Sequence, residues 1–148
     1  MKIVYLHHAH RDRSGGTAQS NPLSKHGERE AKIVGDVVKN IPVKTIYMGE
    51  YLRYAQTAEH VNRHTDAPIK IDARLNEFDG DKDAFRARTH AFLRDIIDAH
   101  ENDDVVFCIT SGVNLNEFLT FFMNCKPKDG FQYVQAAGVC PIIFEYRK

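Results

Sequence analysis

The 148-residue chain has no surplus of either charge, with Lys+Arg and Asp+Glu at 20 each. That balance gives no bulk field for nucleic acid or an acidic membrane, so any attraction for an anion must come from a local cluster. There is no apolar run long enough to cross a bilayer. The short apolar stretch at the N-terminus meets charge too soon for a secretory leader, so a cytoplasmic protein is expected. Cysteine is scarce. Cys108, Cys125 and Cys140 are odd in number and far apart, which predicts neither a disulfide framework nor a zinc site. Cys108 sits in an apolar run and reads as a small buried hydrophobe. No repeat, low-complexity tract or linker interrupts the chain, so residues 1–148 read as one domain, long enough to bury a real core.

What is present is an alternation of strand and helix signals. Lys2-Ile3-Val4-Tyr5-Leu6 reads as a first strand. A polar loop at 14–21, bent by Gly15-Gly16, follows it; loops of that length in compact domains are usually functional or disordered. Ser24 can cap a first helix, along which Ala31, Val34, Val38 and Ile41 recur at helical spacing, with Gly27 early on the same side and Pro42 as the stop. Thr45 to Met48 predicts a second strand, and Leu52 starts a second helix with Ala55, Ala58 and Val61 on one face. Pro68 to Ile71 predicts a short strand at a sheet edge, because proline cannot donate to a ladder. After an acidic loop at 74–82, a third helix begins near Asp83 and carries the stripe Phe85, Thr89, Phe92, Leu93, Ile96 and Ile97, ending at Asn102-Asp103. Val105 to Ile109 is continuously apolar, as a central strand covered on both faces requires. An apolar helix with Leu115, Phe118, Leu119 and Phe122 follows, then a closing strand over Val139 to Tyr146. This order predicts an α/β fold: a three-layer α/β/α sandwich on a mostly parallel sheet.

Three of the eight histidines and two arginines fall within 7–13, directly after the first strand. Ligands of α/β proteins bind beyond the carboxyl ends of the strands, so this corner is the candidate site. Taken singly, its members have plainer readings. His8 is a histidine in a polar loop, Arg53 a helix-start arginine in an ion pair, and Glu77 one carboxylate among Asp79, Asp81 and Asp83. Ser111 is a cap for the helix after it. The Phe118, Phe121 and Phe122 cluster reads as core, and His60, His64, His90 and His100 as surface residues.

Taken together they form an ordered set. His8 follows the first strand, and Leu23-Ser24-x-x-Gly27 with Glu30-Ala31 opens the first helix. Arg53-Tyr54-Ala55-Gln56-Thr57-Ala58-Glu59 opens the second, and Thr110-Ser111-Gly112 follows the central strand. In this order the chain resembles, over nearly its whole length, the histidine phosphatase superfamily, with its phosphoglycerate-mutase-like fold, in its small single-domain form. The resemblance implies that His8 is the nucleophile, that Arg53 clamps the phosphoryl oxygens, and that Glu77 is the general acid. His7, Ser111 and Gly112 then stand at the remaining phosphate-binding positions, with protonated His7, or Arg11 or Arg13 from the same loop, as replacements for a missing arginine. A neutral imidazole is a competent nucleophile and a guanidinium fork matches phosphoryl oxygens, so the chemistry is consistent. The resemblance implies no metal and no cofactor. It implies a phosphorylated small molecule or phosphoprotein as partner, with hydrolysis of a phosphate monoester or phosphohistidine through phospho-His8. Oligomeric state is not legible.

Two departures stand out. The family opens with Arg-His-Gly where this chain has His7-His8-Ala9, and it places a second histidine where this chain has Ser111. Both predict impaired turnover, or a pseudophosphatase that binds a phosphorylated ligand without hydrolysing it. A rival class comes from His8-x-His10-x-Asp12, the ligand spacing of metal-dependent hydrolases.

Overall fold

The computed structural model describes residues 1–123 and 139–147. Strands β1 (Lys2–His7), β2 (Val43–Met48), β3 (Ile69–Ile71), β4 (Val105–Thr110) and β5 (Pro141–Glu145) alternate with helices α1 (Lys25–Val38), α2 (Leu52–Asn62), α3 (Lys82–Ala99) and α4 (Gly112–Met123). The sheet order is β3-β2-β4-β1-β5. Every pairing is parallel except that of β5 with β1.

The period-two geometry of the strands divides the core between two faces. Val4 and Leu6 of β1 and Val105, Phe107 and Ile109 of β4 pack with Val34, Val38, Ala58 and Val61 of α1 and α2. Ile3, Tyr5, Val106 and Cys108 pack on the other face with Phe92, Leu93, Ile96, Leu115 and Phe118 of α3 and α4. The result is the expected three-layer α/β/α arrangement. All six residues of β4 are buried, as its unbroken apolar run requires. The short strand after Pro68 is indeed at an edge, with all three residues exposed. Among the described residues, no helix is long and apolar enough to cross a membrane.

Several boundaries and assignments differ from the sequence reading. Helix α3 stops at Ala99, not at Asn102-Asp103, and β5 starts at Pro141. His100 is buried, not on the surface: one ring nitrogen meets the Tyr47 hydroxyl at 2.9 Å and the other meets Asp104 at 3.1 Å. His60 and His90 are half-buried, the former against Glu28 and the latter against Glu117 and Phe121. Phe118 is core, whereas Phe121 and Phe122 are half-buried at its margin. Cys125 lies outside the described residues.

Candidate active site

The pairing of β1 with β4 assembles the site. Their register sets His7 opposite Thr110, and the His8 amide donates to the Thr110 carbonyl at 2.9 Å. His8 and Ser111 therefore leave the sheet side by side, at its carboxyl edge. Helix α2 brings Arg53, Gln56 and Thr57, which share one face because they are three and four residues apart. Gln56 accepts the Leu23 amide at 2.8 Å. The Thr57 hydroxyl donates to the Arg53 carbonyl at 2.7 Å and accepts the Ala9 amide at 3.1 Å. The residue after the candidate nucleophile is thus fixed by α2. At Gly27, near the start of α1, an added Cβ would stand 2.0 Å from the His10 carbonyl oxygen, so only glycine permits this approach. Ser24 caps α1 by accepting the Gly27 amide, as expected.

The His8 ring is defined by its partners. Nδ1 lies 2.7 Å from the Ala9 carbonyl, which can only accept, so Nδ1 carries the proton. Nε2 accepts from Arg53 Nε at 3.1 Å. Burial, then the neighbouring His7, push the His8 pKa down to about 2, against the raising effect of the Ala9 bond. The ring is neutral, with its lone pair on Nε2 facing Arg53. His7, whose ring centre is 4.4 Å from that of His8, is also held below its ordinary value, chiefly by burial. At neutral pH it does not replace an arginine's charge.

Arg53 is fully buried and each of its three side-chain nitrogens is engaged. Besides Nε, one terminal nitrogen donates to the Ala18 carbonyl and the other to Glu77 Oε2 at 2.9 Å. Its guanidinium lies 4.6 Å from the Tyr51 ring centre and 4.9 Å from that of Tyr54. Arg11 reaches the same Glu77 oxygen at 3.7 Å. Arg88 fastens the backbone beneath Glu77 by donating to the Asn76 and Glu77 carbonyls at 3.2 and 2.9 Å. Glu77 is therefore part of the cluster rather than one carboxylate of a solvated loop. Gly112, at the start of α4, faces His7. Ser111 does not cap α4 through a free N–H; its hydroxyl donates to Asn114 Oδ1 at 2.7 Å.

The structure thus gathers His7, His8, Arg11, Arg53, Glu77, Ser111 and Gly112 at one corner. It does not gather the ligands of the metal reading. His8 Nδ1 turns onto its own loop, exposed His10 bonds Ser24 at 2.8 Å, and Asp12 accepts the Ser14 amide at 2.8 Å. Among the described residues, no group of three or more His, Cys, Asp or Glu is placed to hold a metal ion. The sequence reading missed Tyr51, Tyr54, Thr57, Arg88 and the Ala18 carbonyl as site members. For Thr57 a signal existed, since it shares a helical face with Arg53.

Residues 7–83 match the histidine phosphatase superfamily (branch 1). The chain belongs to that superfamily. No curated protein matches it in sequence. Among solved structures, Bacillus stearothermophilus YhfR superposes with a TM-score of 0.83 at 19% identity, covering 99% of this chain and 91% of that one. A phosphoserine phosphatase variant from Entamoeba histolytica, solved in complex with phosphoserine, gives 0.78 at 14% identity over 99% of this chain and 91% of its own. A mycobacterial glucosyl-3-phosphoglycerate phosphatase solved with VO3 gives 0.69 at 16% identity, over 84% and 81%. At such identities the superpositions show that this chain shares their fold.

Proposed function

We propose that this histidine phosphatase binds a phosphate-bearing ligand at Arg53 and hydrolyses it slowly through phospho-His8. The observation that carries the reading is the His8 ring itself. Nδ1 is tied to the Ala9 carbonyl, and the lone pair on Nε2 is turned to Arg53 at 3.1 Å. In the first step, that lone pair, released from Arg53 Nε as the guanidinium turns to the phosphoryl oxygens, attacks phosphorus and the bond to the leaving oxygen breaks. Glu77 protonates this oxygen. In the second, water attacks phosphorus, Glu77 takes its proton, and the N–P bond breaks to return neutral His8 and inorganic phosphate.

The Arg53–Glu77 pair suggests how the acid is placed. A phosphoryl group arriving on Arg53 displaces the carboxylate, which stays beside the leaving oxygen. Two family positions are replaced, by neutral His7 and by Ser111. Losing one preorganised donor to a transition-state anion costs ~10²–10³ in rate, so the two together set turnover well below a full site.

The test is hydrolysis of an aryl phosphate in EDTA by the wild type, His8→Ala and Arg53→Ala, with acid quenching of a radiolabelled reaction. The expected result is slow turnover lost in both variants and acid-labile label on His8. Label on another residue refutes the role assignment. Vanadate binding without turnover by any protein, with metals restored, establishes instead the pseudophosphatase reading.

A further inference from the structure

The Tyr54 hydroxyl is buried without a close hydrogen-bond partner among the described residues. Its polar neighbour is Ser111, whose hydroxyl donates to Asn114 Oδ1. The Asn114 amide nitrogen, also fully buried, has no partner among the described residues either. Leaving such a group unsatisfied costs its desolvation without return, and buried polar groups are rarely left so.

The surroundings supply a reason. The Tyr54 ring centre is 5.4 Å from that of His8, and its face lies under the Arg53 guanidinium. The backbone has been cleared for the ring: a Cβ at Gly49 would stand 2.7 Å from Tyr54 Cε2. A plain core residue at this position would need no hydroxyl, since phenylalanine fills the same space. The ring is braced by Tyr51, stacked at 5.1 Å. Burial raises its pKa, against the lowering effects of the Arg53 guanidinium and the Ser111 hydroxyl, and keeps it a neutral donor.

We infer that the Tyr54 hydroxyl is a phosphoryl-binding donor of this site, standing in for the hydrogen bond removed where Ser111 replaces a histidine. The inference rests on the phosphate-binding reading of Arg53. The ligand's oxygens enter where the Ala18 carbonyl and Glu77 carboxylate now occupy the guanidinium, and Tyr54 donates to one of them. Such a bond forms only with ligand present, so Tyr54→Phe separates binding from folding by sign. The unliganded variant loses an unsatisfied group and is at least as stable as the wild type. Its affinity for the anion falls.

The experiment measures orthovanadate and inorganic phosphate binding by calorimetry, with thermal midpoints, for the wild type, Tyr54→Phe and Arg53→Ala. We expect Tyr54→Phe to weaken vanadate roughly 10- to 10²-fold, as for a bond to a charged acceptor, with phosphate weakened less and the unliganded midpoint unchanged or raised. Wild-type affinity in Tyr54→Phe, with binding lost in Arg53→Ala, overturns the inference and leaves the pocket standing. A lowered unliganded midpoint in Tyr54→Phe assigns the hydroxyl to the fold and also overturns it. No vanadate binding by the wild type, or equal binding by Arg53→Ala, overturns the pocket and the inference with it.

Discussion

Acidification should weaken this protein through His8 in a measurable way. In the unfolded chain the ring takes a proton near its ordinary value of about 6.5. In the folded protein burial and His7 hold it neutral down to about 2. Below the unfolded value, the unfolded state therefore binds more protons than the native state. The native state loses stability as pH falls toward the folded value. Each proton so withheld costs about 1.36 kcal/mol per pH unit, so going from about pH 7 to about pH 5 removes about 2 kcal/mol. His7 and His90, also held down chiefly by burial, add to the slope of the wild type with the same sign. The comparison is therefore with His8→Asn, whose amide nitrogen can keep the bond to the Ala9 carbonyl but does not titrate. Urea unfolding followed by circular dichroism across this range should show the stability difference between the two proteins shifting by about 2 kcal/mol. A difference that stays constant with pH would refute the neutral, buried assignment of His8.

Three further outcomes are expected. Glu77→Gln should bind phosphate more tightly, because it frees Arg53 from a competing carboxylate, yet it should slow hydrolysis of alkyl phosphates by ~10²-fold and of activated aryl phosphates far less; equal slowing for both leaving groups removes Glu77 as the acid. Thr57→Val should cost about 1–3 kcal/mol in denaturant stability, since the Ala9 amide then stays buried without an acceptor; an unchanged midpoint means that this amide is satisfied elsewhere. Gly27→Ala should lower the thermal midpoint by the equivalent of roughly 2–3 kcal/mol, since its Cβ would overlap the His10 carbonyl.

The fold is legible where local pattern and tertiary role coincide. Val105 to Ile109 reads as a central strand because burial on both faces needs an unbroken apolar run. Ser24 reads as a cap because capping is a local bond. In the site, His8, Arg53 and Glu77 are legible only as an ordered set, since each alone has a plainer reading. Tyr54 is hidden for the opposite reason: an aromatic on the inner face of a helix looks like core, and its hydroxyl gains meaning only beside Ser111. His100 is misread as exposed because what buries it, the Tyr47 hydroxyl, comes from a distant strand.

On the proposed phosphate-binding reading, the occupied guanidinium of Arg53 makes the protein its own inhibitor. The Ala18 carbonyl and the Glu77 carboxylate already take one N–H from each terminal nitrogen that a phosphate would approach. An incoming anion is credited only with the difference between its contacts and those it evicts, so apparent affinity falls in proportion to the rarity of the vacated state. Free inorganic phosphate, with nothing to offer beyond its own oxygens, is the ligand most penalised. A substrate whose remaining atoms also grip the surrounding loops clears that threshold more easily. The same internal contacts that slow its capture hasten the departure of the product.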